Sequence, residues 1–332
     1  MKNHTAVPPV PVSCFIAGGA GFIGSHFVDR LLADPQVERV TVFDNMSSGR
    51  EWHLASHLGD DRFAFLRGDV GDLDAVTAAM RGHETVIHLA SNPDIAKAQV
   101  EPTIDFDQGT LLTQNVVEAM RRCGAKTILY ASGSGVYGDL GEAEAREDDA
   151  IGLPISTYGA SKLAGESLIS AYCYMFDLRG NSFRFGNVVG ARQTHGVGYD
   201  FLKRLLAEPT HLDMLGDGRQ SKSYIHADDV VEAVLTAYRK GEKPYEVYNV
   251  ATGDYITVTE IAQLAVEVLG RAPDSVQFRY SGGDRGWKGD VPVVRLATQR
   301  IRAIGWRCRR SSRQALDASM RSMLEDIRAG RI

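Results

Sequence analysis

Tyr158 and Lys162 are the residues whose types and spacing most clearly suggest chemistry. They lie four positions apart in a stretch that the apolar pattern predicts as a helix, so both side chains project from one face. An ammonium group next to a phenol favours the phenolate and should lower its pKa from about 10 toward the working range. Tyr158 would then accept a proton from a hydroxyl group while hydride leaves the same carbon for a nicotinamide.

A glycine-rich run from Gly18 to Gly24 predicts the site that would hold that nicotinamide cofactor. A predicted strand leads into the run, and an apolar helical pattern follows it. Glycine permits the tight turn, the approach of the backbone to a pyrophosphate and the close packing of helix on strand, while the helix N-terminus faces the anion. The expected cofactor contacts in this run are Gly18, Gly21, Phe22, Ile23 and Gly24.

Two acidic residues that follow predicted strands extend this site. Asp44 comes 20 residues after Gly24, where a carboxylate can accept both ribose hydroxyls of the adenosine half. Because the same carboxylate would repel a 2′-phosphate, Asp44 favours NAD over NADP as the cofactor. Asp69 is placed to accept from the exocyclic amine of adenine. The alternative for Asp69 is a cap on the strand end, where short polar residues are favoured.

The elements that must position these residues alternate between strands and helices. The predicted strands of the first 185 residues cover 12–16, 40–43, 63–66, 86–89, 127–130 and 182–185. Long helices are expected over about 102–122 and 158–176, and a last one over 312–328. This alternation predicts an α/β fold with a Rossmann-type doubly wound parallel sheet, covered by helices on both faces.

The sequence also suggests how the chain is divided. We expect residues 1–11 to be a disordered tail and residues 12–186 to form the NAD-binding Rossmann domain, to which a segment over about 225–252 returns. Residues 187–224 and 253–332 are expected to form a smaller C-terminal α/β lobe that binds the substrate. No repeat or low-complexity linker separates the two parts, so the lobe should be closely joined to the domain.

Composition and charge argue against several classes of protein. The 332 residues include 37 Lys and Arg against 42 Asp and Glu, a net charge of -5, so no basic excess attracts nucleic acid or an anionic membrane. Prolines and glycines near the start would break any membrane-spanning helix. The four cysteines lack the spacing of a zinc site or a disulfide framework, so we expect no metal and a reducing, cytoplasmic location.

Further motifs accompany the glycine turn and the Tyr158–Lys162 pair along the chain. They are Val42-Phe43-Asp44-Asn45 with Ser47-Ser48-Gly49, His88-Leu89-Ala90, Val136-Tyr137-Gly138, Arg184 to Gly190, Gly216-Asp217-Gly218, Ile225 to Val230, Tyr248-Asn249-Val250 and Gly289-Asp290. On these motifs the chain, from about residue 12 to residue 306, resembles the extended short-chain dehydrogenase/reductase family, particularly its nucleotide-sugar epimerase branch of UDP-glucose 4-epimerase type. The resemblance implies an NAD-dependent enzyme acting on a nucleotide-diphosphate sugar.

The resemblance also implies further contacts and an assembly. The cofactor contacts that it adds are Asn45, Ser48, Gly49, Val70, Leu89 and Ala90, besides Tyr158 and Lys162. It implies that Tyr158 also touches the sugar and that Asn187 contacts the sugar diphosphate. The two long helices over 102–122 and 158–176 would form a four-helix bundle in a homodimer.

One departure from the family pattern lies next to the expected reaction centre. The family usually has Ser or Thr three residues before Val-Tyr-Gly, where its hydroxyl donates a hydrogen bond to the reacting sugar oxygen. Gly133 takes that place here. Ser134 is the candidate replacement, for catalysis and for substrate binding, and Ser132 is the second candidate.

Two other departures concern the diphosphate. Lys222 replaces an Arg that usually holds it, and an ammonium lacks the bidentate geometry of a guanidinium. Trp287 replaces a second such Arg, for which Arg285 is close enough in sequence to substitute. These changes leave the sugar and the base open.

Three functions remain open from the sequence, and we favour a reversible epimerase. It would oxidise carbon 4 of an NDP-hexose, let the 4-keto sugar turn over and return hydride to its other face. The second is another enzyme of the family: a dehydratase would carry Thr-Asp-Glu where the run Gly133 to Gly135 lacks both acids, a reductase would usually have Arg in place of Asp44, and decarboxylases also occur. The third is a non-catalytic dinucleotide sensor, against which Tyr158 and Lys162 argue.

Overall fold

The computed structural model describes residues 10–149, 153–286, 289 and 291–332. The strands are β1 Ser13–Ala17, β2 Arg39–Asp44, β3 Phe63–Arg67, β4 Thr85–His88, β5 Thr127–Gly133, β6 Glu144–Ala145, β7 Arg179–Phe185, β8 Asn187–Val189, β9 His211–Met214, β10 Ser221–Lys222, β11 Tyr224–His226, β12 Tyr245–Val250, β13 Ile256–Thr257, β14 Gln277–Tyr280 and β15 Arg295–Leu296. The α-helices are α1 Phe22–Leu32, α2 Leu73–Met80, α3 Leu111–Cys123, α4 Thr157–Met175, α5 Val197–Ala207, α6 Ala227–Lys240, α7 Val258–Val268, α8 Gln299–Ala303 and α9 Ser312–Arg328. Shorter 3-10 turns cover Glu51–His53, Ala55–His57, Ile95–Gln99, Ser134–Tyr137 and Pro273–Ser275, and a π-helical turn covers Phe106–Thr110. None of these helices is both long and apolar enough to cross a membrane.

Seven of the strands form one parallel sheet, in the order β12-β7-β5-β4-β1-β2-β3. This sheet confirms the predicted Rossmann-type α/β fold. The late strand β12 pairs with β7, from Tyr245 opposite Gly180 to Val250 opposite Phe185, so a distant segment returns to the sheet as expected. The chain turns to the other side of β1 between β3 and β4, and ligands of doubly wound sheets bind at such a switch point.

The carboxyl ends of the parallel strands bring the expected site residues to one edge. The glycine turn follows β1, while Asp44 and Gly133 are the last residues of β2 and β5. The order of the strands along the chain does not show how far apart these residues lie on that edge. In the sheet, β4 and β1 lie between β5 and β2. The exact division of the chain into a domain and a lobe stays a prediction.

Apolar side chains cover both faces of the sheet. One face is packed by α1 and α6, which contribute Val28 and Val234. The other is packed by α2, α3 and α4, which contribute Val76, Val116 and Ile169. A buried aliphatic side chain of this size stabilises the fold by about 1.5–3 kcal/mol. Burial on both faces explains why the central strands form apolar runs in the sequence. A further core cluster lies among α5, α7 and α9.

The helix predicted over 102–122 is interrupted. A π-helical turn covers Phe106–Thr110, with Gln108 outside helical geometry, and α3 begins only at Leu111. The reason is a close contact with α4: a Cβ on Gly109 would lie 2.2 Å from Ser161 Oγ. The helix bends here so that its backbone can touch α4 without a side chain in between.

The predicted disordered tail falls largely on residues 1–9, which lie outside the described residues. Its last two residues are described, and the prediction is wrong for them. Val10 is completely buried in the core cluster beneath α1 and α6, and Pro11 is buried beside it. The apolar side chain of Val10 gains more from this burial than solvation would offer.

Candidate active site

The glycine turn is built by close backbone contacts. Gly18 has a φ of +82°, and a Cβ there would lie 2.7 Å from the backbone nitrogen of Ala90. A Cβ on Gly24 would lie 2.6 Å from the Gly18 carbonyl oxygen. Gly18 therefore lets the segment after β4, with Leu89 and Ala90, approach the turn closely. The contact of these two residues with the cofactor stays a prediction.

The first turn of α1 fits a pyrophosphate. The helix begins at Phe22, and its N-cap, Gly21, has no side chain to accept from the N–H groups of Phe22 and Ile23. Such groups are unsatisfied within the helix and favour an anion. The predicted contacts of this run thus lie in the glycine turn and the first turn of α1.

Asp44 presents a carboxylate at the end of β2 that suits a ribose. It is buried and accepts hydrogen bonds from the backbone nitrogens of Ala20 at 3.0 Å and Met46 at 2.8 Å. Burial raises the pKa of Asp44, although both hydrogen bonds oppose the rise. Each carboxylate oxygen keeps a lone pair for a further donor. The Arg50 side chain instead donates to the carbonyls of Ser48 and Gly49.

Asp69 acts as a cap in the structure. Its Oδ1 accepts from the backbone nitrogen of Gly71 at 2.7 Å, and its Oδ2 accepts from Asn45 Nδ2 at 3.0 Å. Asn115 of α3 donates to the carbonyls of Val70 and Gly71 at 2.9 Å. The strand-end cap is therefore present, and the contact of Asp69 with adenine stays a prediction.

Tyr158 and Lys162 lie on one face of α4, as predicted. The helix starts under an N-cap, Ser156, whose hydroxyl accepts from Gly159 N at 3.1 Å. Lys162 is 3% exposed, donates from Nζ to the carbonyl of Ala131 at 2.8 Å, and has its Nζ 5.5 Å from the centre of the Tyr158 ring. This lysine thus links α4 to the end of β5 directly behind the phenol.

Burial dominates the electrostatics of this pair. It lowers the pKa of Lys162 to about 8, against the charges of Asp105 and Glu166, which raise it. It raises the pKa of Tyr158 to about 12, and the charge of Asp105 adds to that rise. The expectation that the ammonium lowers the tyrosine pKa toward neutrality is therefore wrong for the protein chain by itself. A phenolate near pH 7 needs additional positive charge in the site.

Gly133 faces the phenol. A Cβ built on it would lie 3.8 Å from the Tyr158 hydroxyl oxygen and 3.7 Å from Cε1, which is ordinary van der Waals contact. The backbone of Gly133 is extended, with φ -156° and ψ 164°, so other residues could adopt it. A Cβ on Gly135 would also lie 3.8 Å from a ring carbon of Tyr158. Two glycines thus flank the ring.

The two candidate serines differ in what holds them. Ser132 is buried and donates to Glu166 Oε1 at 2.6 Å, and successive residues of a strand point to opposite faces, so it points away from the side of Gly133. This geometry counts against Ser132 as a catalytic candidate. Ser134 begins a 3-10 turn and lines a cleft with Tyr137 and Arg295. Within the described part of the chain, nothing hydrogen-bonds to the Ser134 side chain, so its hydroxyl can serve a ligand.

The predicted diphosphate contacts lie on separate segments. Asn187 is exposed at the start of β8, which pairs with β11 two residues after Lys222. Arg285 is exposed and donates from Nη2 to Asp139 Oδ2 at 2.6 Å. Trp287 lies outside the described residues. The strand partner of Asn187 is Tyr224, two residues after Lys222, whereas Arg285 is engaged by a carboxylate. The contact of these residues with a diphosphate stays a prediction.

Sequence reasoning missed the buried charges around the Tyr158–Lys162 pair. Glu166 lies one helical turn after Lys162, and Arg184 of β7 binds it through Nε at 3.0 Å and Nη2 at 2.7 Å. The spacing of Lys162 and Glu166 could have shown that they share a face. Asp105 comes from a distant segment, and its spacing gave no signal. In the described ranges no group of three His, Cys, Asp or Glu residues could hold a metal ion.

The fold and the site define a class of protein. A glycine turn against a parallel sheet, an acidic residue after β2 and a Tyr–Lys pair at the same sheet edge are the features of a dinucleotide-dependent enzyme of the short-chain dehydrogenase/reductase type. Residues 14–251 match the family model of the NAD dependent epimerase/dehydratase family. The chain belongs to this family, which confirms the predicted recognition. The family is NAD-dependent, which confirms the predicted cofactor.

The relatives and solved structures that resemble this chain include both epimerases and dehydratases. A UDP-glucose 4-epimerase of Mycolicibacterium smegmatis is 33% identical over 298 residues, covering 88% of this chain and 92% of that protein. A crystal structure of UDP-galactose 4-epimerase has a TM-score of 0.83 and 34% identity, covering 95% of this chain and 99% of that one. A dTDP-glucose 4,6-dehydratase of Streptomyces venezuelae, solved with NAD bound, has a TM-score of 0.85 and 26% identity, covering 94% of this chain and 97% of that one.

Proposed function

We propose that the protein is an NAD-dependent epimerase that inverts carbon 4 of an NDP-hexose through a transient 4-keto sugar. The observation that carries this proposal is the Gly-Ser-Gly run over 133–135, whose two glycines flank the Tyr158 ring. A dehydratase needs acids at these positions to eliminate water from the sugar. This run offers one hydroxyl, on Ser134, and two glycines that contact the Tyr158 ring without a side chain. The site can therefore move one proton but has no carboxylate here to expel water.

The chain's own residues supply proton transfer and orientation. Tyr158 takes the proton of the sugar 4-hydroxyl and gives it back after the keto sugar has turned over. Lys162 places a positive charge behind the phenol, and Ser134 donates a hydrogen bond to the reacting oxygen. When bound, NAD would supply reversible hydride transfer at that carbon, and its positively charged nicotinamide ring would favour the phenolate. Nothing is consumed in the cycle.

The diphosphate contacts complete the proposal. Asn187 and Lys222, on paired or adjacent strand segments, would hold the substrate diphosphate, with a single ammonium charge in place of a bidentate guanidinium. Arg285 would bind the diphosphate as well only if its hydrogen bond to Asp139 is broken. Alanine at Lys222 should therefore raise the KM for the sugar nucleotide more than alanine at Arg285. A larger increase in KM from alanine at Arg285 than from alanine at Lys222 would show that Lys222 does not bind the diphosphate.

A deuterium label decides between the candidate reactions. The purified protein is incubated, without added cofactor, with UDP-, dTDP-, CDP- and GDP-glucose deuterated at carbon 4, and products are analysed by NMR. An epimerase yields the 4-epimer with deuterium kept at carbon 4, because hydride leaves and returns to the same atom. A 4-keto-6-deoxy sugar with deuterium at carbon 6 would show a dehydratase and overturn the proposal. No turnover of any sugar nucleotide would favour the sensor.

Asp44 carries a prediction about cofactor choice. Asp44→Asn keeps the side-chain volume but removes the charge that would bind the ribose hydroxyls and repel a 2′-phosphate. Loss of a charged hydrogen bond costs about 1.5–3 kcal/mol, so the preference for NAD over NADP should shrink at least about tenfold. Calorimetric titration with both dinucleotides measures this. Equal preference in parent and variant would show that Asp44 does not contact the ribose.

We also propose the homodimer and a cytoplasmic location. The segment of the π-helical turn, α3 and α4 exposes large apolar side chains, namely Phe106, Leu111, Tyr174 and Met175. An apolar surface of this kind favours association with a second copy. A monomer in sedimentation equilibrium at micromolar concentration would contradict the dimer. All four cysteines are free, which supports a reducing compartment, and cell fractionation can test that location.

A further inference from the structure

Asp105 is a buried carboxylate to which the proposed mechanism gives no role. It is 2% exposed, and its Oδ1 accepts from Asn92 Nδ2 at 2.9 Å while its Oδ2 accepts from Thr157 Oγ1 at 2.7 Å. Both partners are neutral, and no Lys, Arg or His of the described ranges forms an ion pair with it. Burying a carboxylate without a counter-ion is costly, so its presence here calls for a compensating charge nearby.

The hydrogen bonds of Asp105 join the two halves of the site. Asn92 follows the Leu89–Ala90 segment that packs on the glycine turn, and Thr157 directly precedes Tyr158 in α4. The π-helical turn that follows Asp105 also contacts α4, because Thr110 Oγ1 donates to Ser161 Oγ at 3.1 Å. Asp105 therefore fixes the first turn of α4 against the segment expected to border the nicotinamide.

The charges around Lys162 show what Asp105 balances. The ring centres of Tyr130 on β5 and Tyr158 on α4 lie 5.2 and 5.5 Å from Lys162 Nζ. The titratable groups coupled to this lysine electrostatically are Glu166 on α4, Asp105 before the π-helical turn and His88 on β4. Glu166 is already paired with Arg184 through two hydrogen bonds, although its charge still raises the pKa of Lys162. Burial lowers the pKa of His88 to about 3 and raises that of Tyr130, so both are neutral near pH 7. Among the residues that the structure describes, Asp105 is therefore the negative charge coupled to Lys162 that has no ion-pair partner of its own.

The buried ammonium of Lys162 also requires a negative charge nearby to stay protonated. It is buried, and within the described ranges its one hydrogen bond goes to the neutral backbone carbonyl of Ala131. Desolvation lowers its pKa, and the charge of Asp105 is the largest influence that raises it again. A lysine that lost its proton near neutral pH could no longer favour a phenolate at Tyr158.

We propose that Asp105 is a positioning residue of this site, the counter-charge that keeps Lys162 an ammonium and the anchor that holds the first turn of α4. The inference rests on the roles proposed above for Tyr158 and Lys162. It assigns no contact between Asp105 and the sugar. Its effect on the reaction passes entirely through the pair on α4.

The test measures the titration of Lys162 directly. Protein labelled with 13C at lysine Cε is titrated by NMR, and the Lys162 signal is assigned by its absence in Lys162→Met. Asp105→Asn can still accept from Asn92 and donate to Thr157, so it removes the charge with little change of shape. We expect the Lys162 midpoint to move to lower pH by roughly half a pH unit or more, because the ammonium loses a nearby anion.

Asp107→Asn is the matched control. Asp107 lies two residues later, inside the π-helical turn, but its side chain is exposed, so water and salt screen its charge. This variant should leave the Lys162 midpoint where it is in the parent. If Asp105→Asn does not fold, as thermal unfolding would reveal, Asp105→Ser replaces it, because its hydroxyl can still accept from Asn92 without a charge.

The pH profile of kcat supplies the second measurement. Removing an anion lowers the pKa of both Tyr158 and Lys162, so both limbs of the profile should move to lower pH in Asp105→Asn, whereas a structural defect would lower the rate without moving them. An unchanged Lys162 midpoint in an active enzyme overturns the inference and leaves the proposed function standing. A shifted midpoint in a protein that turns over no sugar nucleotide supports the inference and refutes the proposed function.

Discussion

Tyr158→Phe is expected to lower kcat by roughly 10² to 10⁴-fold, the range that a positioned general acid–base group contributes. The change removes only the hydroxyl that carries the proton. Within the described residues that hydroxyl has no hydrogen-bond partner, so its loss leaves no buried group unsatisfied. The melting temperature should therefore stay close to that of the parent. Turnover is measured with the best NDP-hexose found in the label experiment, beside thermal unfolding of both proteins.

Lys162→Met is the companion variant, and it should behave differently. It removes the ammonium and its hydrogen bond to the carbonyl of Ala131. We expect it to lose turnover and also some affinity for NAD, because the resemblance implies that this ammonium holds the nicotinamide ribose. Tyr158→Phe should keep that affinity. A near-normal rate in Tyr158→Phe would show that another group moves the proton, and the proposed base would be wrong.

Ser134→Ala is expected to slow turnover by roughly tenfold to a thousandfold, the effect of losing one positioned donor. The hydroxyl is not engaged by the described part of the protein and lines the cleft beside Gly133. Its loss should therefore reduce kcat with little change in stability. Steady-state rates with the same NDP-hexose, combined with the melting temperature, measure both effects.

Ser132→Ala is the matched control for this prediction. Its hydroxyl serves the buried Glu166 rather than the cleft. Removing it takes a donor from a buried carboxylate, which costs about 1–3 kcal/mol of stability. We expect a lower melting temperature and a smaller loss of kcat than in Ser134→Ala. A larger loss of kcat in Ser132→Ala than in Ser134→Ala would show that the Ser132 hydroxyl takes part in the reaction.

Gly133→Ser tests the same position from the other direction. The extended backbone accepts serine, and its Cβ would meet Tyr158 at ordinary contact distance. The new hydroxyl should partly rescue Ser134→Ala, because it would point at the phenol. If Ser134→Ala is as fast as the parent, Ser134 is not the donor, and a water or a substrate hydroxyl must bridge Tyr158 to the reacting oxygen.

The sequence by itself determined the parts of this protein that depend on local spacing. The glycine turn, Asp44 after a strand and the four-residue spacing of Tyr158 and Lys162 each follow from neighbours along the chain, where 3.6-residue and two-residue periods fix which side chains share a face. The parallel sheet followed too, because alternating strand and helix patterns leave few other ways to bury both faces. The interruption at Gly109 did not, because it depends on Ser161 of another helix.

Only the tertiary structure decided the chemistry around the phenol. Ser132 and Ser134 are near neighbours in sequence, yet the hydroxyl of Ser132 is held by Glu166 and Ser134 lines the cleft. The pKa of Tyr158 rises to about 12 because of what is packed around it, which no spacing reveals. Asp105 joins the site from 53 residues before Tyr158. Burial and charge depend on distances in space, and a residue's neighbours in space are set by the whole fold.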